Sequence, residues 1–127
     1  MKKNILVVDD SKFVLYALQR LLENTDKDYN IYQADSGKKA LDFLDKNKPD
    51  IIILDLMMPS MSGAEVYKKI KNSTKTKEIP ILILTAQTDA LRWNEELKTC
   101  DKFMMKPFDN NELVNEVRKL LNRSEEK

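Results

Sequence analysis

The chain has 127 residues, a length typical of one domain built around one hydrophobic core. Its 22 basic and 21 acidic residues leave a formal net charge of +1, so bulk charge gives no reason to expect binding to nucleic acid or to a membrane surface. The single cysteine excludes an internal disulfide and fits a cytoplasmic location, and because there is no histidine, any metal has to be bound through oxygen.

Five short apolar runs alternate with five amphipathic stretches, and the first run is too short for a signal peptide or a membrane span. The second run is the most polar and predicts an edge strand. The third and fourth are continuous branched runs, as in strands buried on both faces. The runs predict strands near residues 4–8, 30–34, 50–54, 80–84 and 102–105, and the amphipathic stretches predict helices over 12–22, 36–46, 63–71, 89–98 and 109–122.

This βα alternation predicts an α/β domain with a parallel sheet, helices on both faces and right-handed crossovers. Short polar side chains stand at or just before the start of three of the helices and are the predicted N-caps: Asp10 or Ser11, then Ser36, then Asp109. We expect the domain to span residues 1–122, followed by a polar tail over 123–127 that frays.

Polar side chains stand where four of the predicted strands end. Asp55 follows the third strand, Asp9 and Asp10 follow the first, Thr85 closes the fourth and Lys106 follows the fifth. The carboxyl ends of parallel strands lie on one edge of a sheet, where open α/β folds place their sites. We therefore expect these five side chains to lie together.

Three neighbouring carboxylates repel one another, and Mg²⁺ relieves that repulsion because it prefers carboxylate oxygens. A hydroxyl at Thr85 and an ammonium at Lys106 suit phosphoryl oxygens, so the set predicts phosphoryl transfer to Asp55 as the nucleophile. Taken singly, the groups have structural explanations: Asp9 and Asp10 as a turn and cap, Thr85 as a cap, Lys106 as a loop residue. Their agreement at four strand ends favours the functional interpretation.

The chain resembles the receiver domain of two-component response regulators, particularly the single-domain, chemotaxis-regulator-like kind. The resemblance covers residues 4–121 and is carried by ILVVDD (5–10), LDLMMPSMSG (54–63), LTA (84–86) and KPF (106–108). It implies a flavodoxin-like five-stranded parallel sheet in the order 2-1-3-4-5 with five helices on two faces. It also implies a cis bond between Lys106 and Pro107.

The same resemblance implies that Asp55 takes a phosphoryl group from a sensor histidine kinase or a histidine phosphotransfer protein. Asp9, Asp10, Asp55 and the carbonyl of Met57 would then hold Mg²⁺, and Thr85 and Lys106 would contact the phosphoryl oxygens. It further implies a switch from Thr85 to an aromatic residue at Phe103. The face formed by the predicted fourth helix, fifth strand and last helix would then bind a downstream target.

The sequence departs from the family pattern in the stretch from Thr85 to Lys106, which is one residue shorter than usual. Thr99 and Cys100 stand where receivers often carry Gly-Ala, so we expect the fourth helix or its exit to be altered. Phe103 replaces a common tyrosine, and the switch would therefore depend on packing alone. Met57 and Gln87 occupy the positions that flank the phosphoryl group.

Other functions fit the residues less well. A phosphatase of the haloacid dehalogenase type would use Asp55 as nucleophile but needs a second aspartate where Met57 stands. A flavin carrier lacks its phosphate-cradling loop after the first strand, and a receiver that signals without phosphorylation would not need the intact set. We expect no catalytic activity beyond self-phosphorylation and slow self-dephosphorylation. We expect the protein to be a monomer or a weak phosphorylation-dependent dimer. It would be either a stand-alone receiver or a receiver excised from a larger transcriptional regulator.

Overall fold

A computed structural model of the chain describes residues 2–86, 97 and 99–125. The strands are β1 (Lys3–Val8), β2 (Tyr29–Ala34), β3 (Ile51–Leu54), β4 (Ile81–Thr85) and β5 (Lys102–Met105), and the helices are α1 (Lys12–Thr25), α2 (Gly37–Lys46), α3 (Gly63–Lys71) and α4 (Asn110–Glu125). Apart from Leu97, the helix predicted over 89–98 lies outside the described residues, and so does the flanking residue Gln87. No helix in the described part of the chain is long and apolar enough to cross a membrane.

All five strands are parallel, in the order β2-β1-β3-β4-β5, which confirms the predicted sheet. The polar strand β2 stands at one edge, as predicted. Val8 of β1 pairs with Leu54 of β3, so Asp9 and Asp55 leave neighbouring strands side by side. Thr85 of β4 pairs with Met105 of β5, which places Lys106 one residue beyond the end of that pair.

The sheet is covered on both faces, and alternate strand residues supply two separate apolar layers. Leu6, Ile52 and Ile83 pack in the layer that includes α2 and α3. Ile53 and Leu82 pack in the opposite layer with α1 and α4. Because both faces of β3 and β4 are buried, their sequences are continuous apolar runs, as predicted.

Serine and aspartate side chains cap the N-termini of the four described helices. Ser11, not Asp10, caps α1 by accepting a hydrogen bond from the Val14 N–H, and Ser36 and Asp109 cap α2 and α4 as predicted. Ser62, which is not among the predicted caps, caps α3 by accepting a hydrogen bond from the Glu65 N–H. Helix α4 runs to Glu125, beyond its predicted end at residue 122.

The extension of α4 has a tertiary cause. The guanidinium of Arg123 pairs with the Asp101 carboxylate at the start of β5. The other oxygen of Asp101 accepts the Ile81 N–H at 2.8 Å, so this carboxylate joins the C-terminal helix to the first residue of β4.

Candidate functional site

Three carboxylates gather at the carboxyl edge of the central strands. Asp9 and Asp55 are buried and Asp10 is exposed, and one oxygen of each lies within 4.8 Å of the others. The N–H of Asp55 donates to the Val8 carbonyl at 2.9 Å, which fixes the end of β3 beside the end of β1. The structure therefore brings together the three acidic residues that the sequence predicts to share a site.

Lys106 extends from the end of β5 into this group of carboxylates. Its Nζ lies 2.6 Å from Asp9 Oδ2 and 3.5 Å from Asp55 Oδ2. The Lys106 N–H donates to the Thr85 carbonyl at 3.0 Å, which ties the lysine backbone to β4. The following bond to Pro107 is cis, as predicted. The ammonium thus bridges the two buried carboxylates and is closer to Asp9.

Neutral donors supply the remaining contacts to the buried carboxylates. The Ser11 N–H donates to Asp9 Oδ1 at 2.9 Å, and the Met57 N–H donates to Asp55 Oδ1 at 3.3 Å. The hydroxyl of Thr85, which is fully buried, also makes a hydrogen bond with the Asp55 side chain. Asp55 is therefore held in place by β4, by β5 and by the loop that follows β3.

Burial is the main reason that the pKa of Asp55 is raised above its ordinary value, and the nearby charge of Asp9 raises it further. The charge of Lys106 and the hydrogen bonds from Met57 and Thr85 oppose this shift without cancelling it. One ammonium cannot neutralise three carboxylates. The remaining negative charge, carried entirely by oxygen ligands, fits a hard divalent cation such as Mg²⁺.

The loop between β3 and α3 folds back tightly against the end of β3. The Gly63 N–H donates to the Leu56 carbonyl at 3.0 Å. A Cβ atom added to Gly63 would lie 2.0 Å from the Asp55 carbonyl oxygen and 2.5 Å from Leu56 Cα. Within the loop, Ser60 adopts a left-handed backbone with φ of 69°, which is uncommon outside glycine. The loop that positions Asp55 thus has no room for a side chain at residue 63.

A groove opens beside this loop, next to the carboxylates. Its volume is about 430 Å³, and it is lined by Asp10, Leu56, Met57, Met58, Pro59 and Ser62. The side chain of Met57 is 56% exposed, whereas its N–H contacts Asp55. The groove thus opens beside the acidic centre, with Asp10 on its polar side and an apolar wall opposite.

The two residues of the predicted switch, Phe103 and Thr85, lie on neighbouring strands. Phe103 of β5 is opposite Ile83 of β4, partly buried against the layer that includes α2 and α3. Thr85 lies two residues after Ile83, so strand alternation directs it toward the same face. On α1, two aromatic residues lie off the buried face of the helix: Phe13 is 80% exposed and Tyr16 is 61% exposed.

The fold and the site define a flavodoxin-like α/β protein with an acidic centre at the carboxyl edge of its sheet. The family model described as "Response regulator receiver domain" matches residues 5–118, and the chain belongs to this family. Receiver domains are the signalling modules of two-component systems, they generally bind Mg²⁺ through an acidic pocket, and they pair with histidine kinases or phosphotransfer proteins.

Individual relatives agree with this assignment. The chain is 37% identical to the Bacillus subtilis alkaline phosphatase synthesis transcriptional regulatory protein PhoP, over 98% of this chain and 51% of PhoP. It is 36% identical to histidine kinase P4 of Formosa agariphila, over 94% of this chain and 9% of that kinase. A putative response regulator from Chloroflexus aurantiacus superposes with a TM-score of 0.86 at 32% identity, covering 96% and 99% of the two chains. The chain thus spans about half the length, or less, of these two curated relatives.

The position of Lys106 predicts competition between its ammonium and a divalent cation for Asp9. We expect Lys106→Met to lower metal-free stability by about 2 kcal/mol, because two buried carboxylates lose their counter-charge. The same variant should bind Mg²⁺ more tightly than the wild type. Thermal unfolding in EDTA and across a Mg²⁺ titration measures both effects.

Lys102→Met is the matched control for this prediction. Lys102 also lies on β5 but pairs with Glu116 at 3.8 Å, away from the three carboxylates. Its loss should cost less than about 1 kcal/mol and leave the Mg²⁺ response unchanged. Equal Mg²⁺ responses in Lys106→Met and the wild type would show that the ammonium does not compete for the site.

Proposed function

We propose that the protein accepts a phosphoryl group on Asp55 from the phosphohistidine of a sensor histidine kinase or a histidine phosphotransfer protein. The observation that carries this proposal is the position of Asp55: a buried carboxylate grouped with Asp9 and Asp10 and 3.5 Å from the Lys106 ammonium. Burial with a raised pKa and a specific charge partner is typical of functional carboxylates.

In the proposed reaction, a carboxylate oxygen of Asp55 attacks the phosphorus atom of the donor. The bond between phosphorus and the histidine nitrogen breaks, its electron pair stays on the imidazole, and an acyl phosphate forms. Lys106 shifts its charge toward the new phosphoryl oxygens, and the Thr85 hydroxyl donates to one of them. Mg²⁺, when bound, supplies further neutralisation of phosphoryl charge, and we assign Asp9, Asp10, Asp55 and the Met57 carbonyl as its ligands.

We further propose that phosphorylation switches a partner-binding surface through Thr85 and Phe103. A phosphoryl group that draws the Thr85 hydroxyl toward Asp55 would vacate space on the face that Phe103 shares. The partly buried ring could then pack more deeply and alter the surface around β5 and α4. The downstream target would bind there, with the protein acting in the cytoplasm as a monomer or a weak phosphorylation-dependent dimer.

Incubation with acetyl phosphate and Mg²⁺ tests the acceptor role directly. Intact-mass spectrometry should show the addition of one phosphoryl group, and omission of Mg²⁺ should reduce the yield. Asp55→Asn should abolish the added mass. Persistent labelling of that variant would contradict the assignment of Asp55, and repeated turnover of a phosphomonoester would instead favour a phosphatase.

Phe13 predicts a specific effect on the protein donor. Its side chain is 80% exposed on α1, one residue after the start of the helix that follows Asp9 and Asp10. If Phe13 contacts the donor's helices, Phe13→Ala should slow transfer from the cognate kinase by about tenfold, the effect of losing one well-packed aromatic contact. Transfer from acetyl phosphate should be unchanged.

Tyr16→Ala provides the control on the same helix. Its hydroxyl accepts a hydrogen bond from Arg20 at 3.1 Å, a contact within α1 that explains the side chain without a partner. We expect Tyr16→Ala to leave both transfer rates near those of the wild type. If Phe13→Ala slows both donors equally, Phe13 has no role in docking.

A further inference from the structure

The thioether of Met57 differs from those of its neighbours in its exposure. Its side chain is 56% exposed, more than that of Met105 at 43%, whereas Met58 and Met104 are buried. Peroxides reach an exposed methionine sulfur before a buried one, because oxidation needs direct contact between the oxidant and the sulfur atom. Met57 is therefore the most exposed of these four methionines.

The same residue lies against the candidate acceptor. Its N–H donates to Asp55 Oδ1 at 3.3 Å, and its side chain lines the groove of about 430 Å³ that Asp10 also lines. Met105, the other exposed methionine in the described part of the chain, lies in β5 beside Thr85 and does not line this groove. A change in the polarity of the Met57 side chain would thus alter the groove that opens beside the three carboxylates.

We propose that Met57 is an oxidation site, and that methionine sulfoxide at this position shortens the lifetime of the phosphoryl group on Asp55. The proposal rests on the acceptor role of Asp55. Hydrogen peroxide is the co-reactant: the sulfur lone pair attacks one peroxide oxygen, the O–O bond breaks, and water leaves after proton transfer. Sulfur loses two electrons, and the peroxide gains them.

The expected effect follows from the change in the side chain. A thioether is apolar and holds water poorly, so it shields the groove beside an acyl phosphate. A sulfoxide oxygen is a strong hydrogen-bond acceptor, and it holds a water molecule in the groove next to the phosphorus atom. Hydrolysis of the acyl phosphate should accelerate, and the signal carried by Asp55 should be shorter under oxidising conditions.

A peroxide titration of the whole chain with peptide mass mapping tests the site. Met57 should be oxidised before Met58 and Met104. Protein oxidised to one sulfoxide is then loaded with acetyl phosphate and Mg²⁺, the donor is removed, and loss of phosphoryl mass is followed. The oxidised wild type should lose the group at least about twofold faster than the reduced protein.

Two variants separate Met57 from the other methionines. In Met57→Leu, which keeps the apolar wall but cannot be oxidised there, peroxide should leave the phosphoryl lifetime unchanged. In Met105→Leu, peroxide should shorten it as in the wild type. Earlier oxidation of Met58 or Met104, or an unchanged lifetime in the oxidised wild type, would overturn the inference alone. Failure of the reduced protein to gain any phosphoryl mass would overturn the acceptor role and the lifetime claim together.

Discussion

Gly63→Ala should lower the free energy of unfolding by about 2–4 kcal/mol and weaken Mg²⁺ binding. Gly63 begins α3, where helix propensity alone would make alanine stabilising by about 1 kcal/mol. The new Cβ, however, would lie 2.0 Å from the Asp55 carbonyl oxygen and 2.5 Å from Leu56 Cα. Both are backbone atoms of the segment that carries Asp55, the proposed acceptor, so relief of the clash has to move the site itself.

Gly37→Ala is the control, because it makes the same substitution at the first residue of another helix. Its Cβ would meet side-chain atoms, Val66 Cγ2 at 2.8 Å and Met61 Sδ at 3.0 Å, and the methionine can move aside. We expect a smaller loss of stability and normal Mg²⁺ binding. Urea unfolding and Mg²⁺-dependent melting provide the comparison. A Gly63→Ala protein as stable as the wild type would show that the loop is not constrained at this point.

Asp55→Asn should stabilise the metal-free protein at neutral pH, although we expect it to abolish phosphorylation. The folded-state pKa of Asp55 is raised, chiefly by burial and then by Asp9, so the ionised carboxylate is less favourable in the folded chain than in the unfolded one. This cost is absent below the ordinary pKa of 3.8, grows as the pH rises through the folded-state pKa and is complete above it.

The uncharged amide of Asp55→Asn removes this cost of holding a buried ionised carboxylate, and its shape is similar to that of the carboxyl group. We expect a gain of about 1 kcal/mol at pH 7, or about 2–4 °C in Tm, and a gain that shrinks as the pH is lowered toward 4. Asp50→Asn is the control, because that carboxylate accepts the Asn4 N–H at 2.7 Å and its replacement should not stabilise the chain. A lower Tm for Asp55→Asn at pH 7, or a gain independent of pH, would contradict this account.

The sequence predicts the strands and the carboxyl edge of the sheet that carries the site. It does so because apolar runs, and the polar residues that end them, are visible within a few consecutive residues. Asp9, Asp10, Asp55 and Thr85 follow from this pattern once the strands are parallel. The close contact of Lys106 with Asp9 does not follow, since the sequence places both groups at one edge but does not fix side-chain distances.

Other features depend on tertiary packing. The final turn of α4 is stabilised by the pairing of Arg123 with Asp101, two residues on different elements. The constraint at Gly63 comes from the backbone of residues 55 and 56, and a glycine at the first position of a predicted helix gives no sign of that contact. The Ser62 cap had a usable signal, a serine directly before the first residue of a helical pattern.

The ion pair between Lys106 and Asp9 joins residues that are 97 positions apart. Contacts with such large sequence separation form late, because much of the chain has to be ordered before the loop between them closes. A folding intermediate that has only β1, β2 and β3 would bring Asp9 and Asp55 together without the ammonium. The competence to accept a phosphoryl group that we propose for Asp55 should therefore appear only in the last stage of folding, once Lys106 has joined the carboxylates.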